Sequence, residues 1–100
     1  MTYQVRWTNA ARKDLKGIPK KQRLLLVTWV RDHLDGCENP RGIPQGKQLQ
    51  GTKNGWRWRI GSYRVIGQIK DQELVINIVR AVLAPPLKEF RLNRQTIAGF

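Results

Sequence analysis

Residues 56–66 read Trp56-Arg57-Trp58-Arg59-Ile60-Gly61-Ser62-Tyr63-Arg64-Val65-Ile66, and this stretch decides the fold. Apolar and cationic residues alternate strictly as far as Ile60. Successive side chains of a strand point to opposite faces, so Trp56, Trp58 and Ile60 share one face and Arg57 and Arg59 the other. Gly61-Ser62 turns the chain back into a second strand over 63–70. One face can seal a core. The other carries permanent positive charge on a rigid platform, which suits phosphate binding. Pairing across the turn brings Arg64 towards Arg57 and Arg59, whereas a slip of one residue would turn it away.

Outward from this hairpin, 51–55 ends in Asn54-Gly55 and reads as a turn, with 47–50 as a short strand before it. Downstream, a turn at Asp71-Gln72 leads into a strand over 74–82. Strict alternation there puts Leu74, Ile76 and Ile78 on one side and Val75, Asn77, Val79 and Ala81 on the other. Upstream, 2–7 alternates with Tyr3, Val5 and Trp7 on one face. Thr8 or Asn9 caps a helix reaching to about Lys16, with Ala11, Leu15 and Ile18 at helical spacing. Gly17 stops it and Pro19 opens a second helix, 19–35, whose apolar stripe is Leu26, Val27, Val30 and Leu34. So short a joint makes the two a helical hairpin. The glycines and prolines of 36–46 read as a loop. Beyond Ala84-Pro85-Pro86 a short helix is expected over 87–94, and 96–100 as a frayed end. The fold class is α+β: an N-terminal strand and a two-helix hairpin packed on one face of a small antiparallel sheet.

With 100 residues the chain suits one domain, whose thin core gives its four tryptophans weight. Nineteen Lys and Arg face seven Asp and Glu, a formal charge of +12. Such a chain favours polyanions, whether RNA, DNA, an anionic membrane or an acidic protein. Cys37 is the only cysteine, which excludes an internal disulfide and fits a reduced cytoplasmic setting. No apolar run approaches the roughly 20 residues of a membrane span. Arg6 and Arg12 interrupt any signal-peptide core at the N-terminus.

The candidate anion-binding set is Lys47, Lys53, Arg57, Arg59, Arg64 and Arg80. A solvated outer sheet face is the plain alternative, since antiparallel sheets commonly have one. Lys20, Lys21 and Arg23 add a basic helix start, either solvated or able to steer RNA. One His and one Cys among scattered carboxylates give no metal-ligand spacing, and no metal or other cofactor is expected. His33 and Cys37 read as packing or surface residues. Trp56 and Tyr63 can stack on a base or pack into the core.

The sequence Lys47-Gln48-Leu49-Gln50-Gly51, followed by Trp56 to Ile66 as quoted, resembles the RelE/ParE superfamily of bacterial and archaeal toxins. Its pattern is similar to Lys-x-Leu-x-Gly, an aromatic-Arg-x-Arg strand, then Gly-x-Tyr-Arg-Val, and the resemblance covers about 1–82. It implies a single RelE-like toxin domain over 1–100, with 84–100 a divergent tail. The RelE branch cleaves messenger RNA on the ribosome without a metal, and the ParE branch inhibits DNA gyrase without being a nuclease. The paired basic strand residues favour RelE. On that resemblance Arg57, Arg59 and Arg64 are the catalytic residues; Lys47, Lys53 and Arg80, from the basic pattern, are expected to bind RNA. The family's C-terminal Arg and Tyr are absent: Ala84 and Phe90 stand about where they would be. Tyr63, Lys53 and His33 are left as candidate bases. Partners implied are a cognate acidic antitoxin, the ribosome with its mRNA, and operator DNA reached only through the antitoxin complex. The alternatives are a gyrase inhibitor of ParE type, a catalytically impaired relative, or a plain nucleic-acid binding module.

Overall fold

The computed structural model describes residues 1–84. Its elements are β1 (Gln4–Trp7), α1 (Asn9–Lys16), α2 (Lys20–His33), a 3-10 turn (Pro40–Gly42), β2 (Gly46–Gln48), β3 (Gly55–Ile60), β4 (Tyr63–Lys70) and β5 (Val75–Leu83). The five strands form one sheet in the order β1-β5-β4-β3-β2. All neighbours are antiparallel except β1, which lies parallel to β5.

Thr8 starts the helical hairpin twice over. Its backbone is extended and its hydroxyl accepts the Ala11 N–H at 3.2 Å, a cap worth about 1 kcal/mol. The same hydroxyl donates to the Ile78 carbonyl at 2.9 Å, tying the cap to β5. α2 buries Leu26 and Val30 along its length and Leu34 at its end, a fixed step of four residues. Val27, expected in that stripe, lies to its flank and is 36% exposed. Leu24 and Leu25 also face outward.

Trp58 is fully buried at the centre of the core, with Val65, Ile69, Ile76, Ile78 and Ala81 from the sheet. Ala11, Ile18, Leu26, Val30 and Leu34 close it from the helical side. The Trp58 indole N–H donates to the Pro40 carbonyl at 3.3 Å, so the 36–45 loop covers the same face as the helices. Gly67 makes room for that ring: a Cβ there would sit 3.0 Å from Trp58 Cζ3 and 3.1 Å from the Asn77 carbonyl. Trp7, Trp29 and Trp56 are only half-buried and pack against this centre.

The strict alternation expected of β5 fails at one point. Ile66 pairs with Arg80 but Gly67 pairs with Ile78, leaving Val79 as an extra residue. A bulge shifts the side-chain parity of everything beyond it. Ala81, expected opposite Ile78, therefore joins Ile76 and Ile78 in the core, and Arg80 turns to the outer face. The expected strand start at Leu74 is also corrected. Leu74 has φ +55°, a left-handed turn conformation, and β5 begins at Val75. The helix expected over 87–94, the 96–100 end and Phe90 lie outside the described residues.

Candidate phosphate-binding site

A two-residue turn fixes the register of the central hairpin. Gly61 has φ +60°, the value a primed turn with glycine first demands. Ile60 therefore faces Tyr63, and Arg59 faces Arg64 directly. On the other side of β3, Lys47 of β2 faces Arg57. All four cations sit on the face opposite Trp58, since Trp58 pairs with Gly46 and Val65.

The spacing follows from sheet geometry. Directly opposed residues have Cβ atoms about 5 Å apart, and neighbours along one strand or on the diagonal are about 7–8 Å apart. Arg57, Arg59 and Arg64 thus form a triangle the size of a phosphodiester, with Lys47 at its rim. Like charges placed directly opposite destabilise a sheet, by up to about 1 kcal/mol a pair, and here two such pairs lie side by side. No ion pair of the described residues involves any of the four. Arg64 Nε is buried with no hydrogen-bond partner among the described residues. Arg59 Nε donates to the Gly61 carbonyl at 3.1 Å, which braces its side chain over the turn.

The other expected residues are placed differently. Arg80 faces Ile66 on the same side of the sheet, but its guanidinium reaches over the β5 edge to Asp14 of α1. Nε and Nη2 donate to the two carboxylate oxygens at 2.7 and 3.2 Å. Asp14 also accepts the Ala81 N–H at 3.0 Å. Chiefly Arg80, and then that backbone donor, hold the Asp14 carboxyl below its usual range. Lys53 belongs to the 49–54 loop, at the far end of β3 from Arg59. Tyr63 and Trp56 pack on the core side. His33 ends α2 with its ring stacked on Trp29, centroids 4.7 Å apart, so the sheet separates it from the four cations. Ala84 closes the described chain, its N–H bound to the Ser62 carbonyl at 2.8 Å.

Two features escaped the sequence reading. Asp14 was one, although it is the single acid of α1, whose other charged residues are all basic, and that isolation was the available signal. The other joins four distant segments at the opposite end of the sheet. Arg41 donates to both oxygens of Asp71, at 2.8 and 3.0 Å, and to Asn54 Oδ1 at 3.2 Å. Its Cζ lies 5.6 Å from the Trp56 ring centroid, and the Tyr3 hydroxyl donates to Asp71 at 2.7 Å. These bonds, Arg41 first, pull the Asp71 carboxyl down to about 2, and the bond to Asp71 raises the Tyr3 hydroxyl. Among the described residues no three His, Cys, Asp or Glu side chains gather to hold a metal, and no helix is long and apolar enough to cross a membrane.

Known proteins resemble the chain in both sequence and structure. A family model described as the ParE toxin of type II toxin-antitoxin system, parDE, matches residues 5–81. Toxin RelG of Mycobacterium tuberculosis is 31% identical over 80 residues, 80% of this chain and 88% of that protein. The toxin-antitoxin complex RelBE2 from Mycobacterium tuberculosis holds a chain 26% identical with a TM-score of 0.68, matched over 84% of this chain and 100% of its own length. In the archaeal RelE-RelB complex from Pyrococcus horikoshii OT3 the figures are 30%, 0.66, 83% and 96%. The isolated E. coli RelE toxin has a TM-score of 0.69 over 96% of this chain and 99% of its own, and at 19% identity it shares the fold.

Proposed function

This chain belongs to the RelE/ParE superfamily of toxins from type II toxin-antitoxin systems, and from that premise we propose that it arrests translation by cutting messenger RNA on the ribosome. One observation carries the reading: four cations share a sheet face as two directly opposed like-charge pairs, with no carboxylate among the described residues to relieve them. A fold that accepts that cost is complementary to an anion.

The reaction is attack by a ribose 2′-hydroxyl on its adjacent phosphate. The bond from the 2′-oxygen to phosphorus forms and the bond to the 5′-oxygen of the next nucleotide breaks, with the 2′-hydroxyl proton passing to solvent water and the departing 5′-oxygen taking a proton from it. Negative charge gathers on the phosphoryl oxygens in the transition state. Arg57 and Arg64 hold the scissile phosphate, and Arg59 holds the same phosphate or its neighbour. Prepositioned donors of this kind are worth about 3–4 kcal/mol each. Guanidinium groups stay protonated and take no proton from the 2′-hydroxyl. The toxin therefore depends on the ribosome to align the ribose, and it is slow on free RNA.

An antitoxin with an acidic toxin-binding segment is the natural counter-charge for a +12 chain. The solved relatives named above include toxin-antitoxin complexes. On this reading the toxin works in the cytoplasm, and its complex meets operator DNA only through the antitoxin. The ParE description of the matching family model favours a second reading, a gyrase inhibitor without nuclease activity. A translation-coupled cleavage assay separates the two. Fresh cuts within codons, lost in Arg64→Ala, are expected. Relaxed DNA with intact message would establish the second reading. Growth arrest that survives Arg64→Ala in a folded protein would overturn the assignment of the strand cations.

A further inference from the structure

The outer sheet face carries more than cations. Beside the triangle of Arg57, Arg59 and Arg64 the register places one aliphatic side chain and then two amides. Ile66 lies directly between Arg57 and Arg80, and faces away from the core in which its neighbour Val65 is fully buried. It is half-buried and takes no part in the core cluster. Two residues further along β4 stands Gln68, and directly opposite it on β5 stands Asn77. Ile69, Ile76 and Ile78 belong to the core, so alternation turns both amides to the outer face with the arginines. Opposed side chains have Cβ atoms about 5 Å apart, and Ile66 and Gln68 stand about 7 Å from one another. Gln68 is exposed and Asn77 half-buried. Among the described residues no hydrogen bond holds either amide.

We propose that Gln68 and Asn77 read the base next to the phosphate that the arginines hold, and that the base they select is adenine. Ile66 adjoins Arg57 and Arg64, and the amides lie one step beyond it. A nucleotide with its phosphate over the arginines crosses Ile66, and the edge of its base arrives at the amides. An aliphatic side chain is an apolar bed for a base of any identity, so the amides carry the choice. An amide presents a donor and an acceptor side by side. Adenine answers with its N7 acceptor and its N6 amino donor. Guanine presents two acceptors on that edge, N7 and O6, which suit arginine instead. The bases of single-stranded RNA are open to reading on these edges. The two amides are close enough to bond to each other, which fixes the way the reading oxygen points. The inference rests on reading the chain as RNA-directed, and it adds base selection to the strand site.

Binding to a short single strand carrying 2′-O-methyl groups, which blocks cleavage, tests it apart from catalysis. Two such strands are compared, one with adenines spaced among uridines and one with guanines in their place. The wild type is expected to favour the adenine strand by about tenfold. Gln68→Leu removes both hydrogen-bonding groups at an exposed position and brings that ratio to about one. Gln68→Arg supplies the two donors that guanine accepts, and reverses the ratio. Arg64→Ala weakens both strands together and keeps the ratio, which separates phosphate holding from base reading. Cut sites mapped in message on ribosomes give a second readout, enriched in adenine for the wild type and not for Gln68→Leu. A wild-type protein that binds the two strands equally would overturn the inference and leave the strand site standing. A folded Gln68→Leu that keeps the wild-type ratio would overturn it too, and failure to bind either strand would overturn both. An adenine preference lost in Gln68→Leu, in a protein that cuts no message, would instead sink the nuclease reading and leave the base reading in place.

Discussion

Arg41 and Arg64 are both half-buried arginines beside the same sheet, and their surroundings are opposite. Arg41 is bonded to both oxygens of Asp71 and to the amide of Asn54, and packs over Trp56. Arg64 faces Arg59 across the strands, with a buried Nε that has no partner among the described residues. A cation that serves the fold is given its counter-charge by the fold. One that serves a ligand is left for the ligand. Arg80, paired to Asp14, sides with Arg41 on this criterion, although it lies on the outer sheet face with Arg57 and Arg64.

Removing the unrelieved cations should do most to activity and least to stability. For Arg57→Ala and Arg64→Ala we expect ribosome-dependent cleavage to fall by about 10²–10³-fold each. Melting temperature should stay level or rise, because each substitution ends a cross-strand repulsion. Cleavage time courses beside thermal melts give both numbers. A variant that loses stability and keeps activity would put Arg64 with Arg41 and erase the contrast.

Asp71→Asn is the converse change. It removes the charge that Arg41 and Tyr3 were folded around. Since Asp71 is about half exposed, with 48% of its side chain accessible, a loss of only about 1–2 kcal/mol is expected after allowance for solvent screening. Cleavage should be unchanged. The pH dependence has a fixed sign. The folded carboxyl titrates at about 2, below its ordinary 3.8, so its contribution is complete above about pH 4–5 and lost as the pH falls towards 2. Denaturant midpoints across that window should decline in the wild type and flatten in Asp71→Asn. Equal slopes would show that the Arg41 cluster holds no folding energy in this carboxylate.

Much of this contrast was readable in the residues themselves. The alternation of 56–60 fixes the face that Arg57 and Arg59 share, whereas the residues left open a one-residue slip for Arg64, and only the strand register pairs it with Arg59. The bulge was not readable. Val79 is an ordinary strand residue with no glycine or proline beside it, and the parity shift it causes arises only when Gly67 settles beside Trp58. Arg80 could not be placed for that reason, nor could its pairing with an acid 66 residues away. Local patterning reports a face. It does not report which cations a distant carboxylate will reach. The parallel pairing of β1 with β5 was open to reasoning, since a helical hairpin between strands is the kind of crossover that parallel pairing requires.

The smallest expected effect is the sharpest test of the repulsion itself. Arg59→Glu turns a like-charge pair with Arg64 into an opposite one without touching the core. It loses the bond from Arg59 Nε to the Gly61 carbonyl, worth about 0.5–1 kcal/mol at an exposed turn. It ends a repulsion and gains an exposed pair, each worth a similar amount. The net change should be a stabilisation of about 0.5 kcal/mol at low salt, fading as added salt screens the pair. The new carboxylate would also occupy the place held open for phosphate, so binding of the blocked single strand should be lost in the same variant. Melting at low and high salt, beside that binding measurement, checks both halves. A variant destabilised at low salt that still held the oligonucleotide would mean that Arg59 and Arg64 share no anion and feel little of each other's charge.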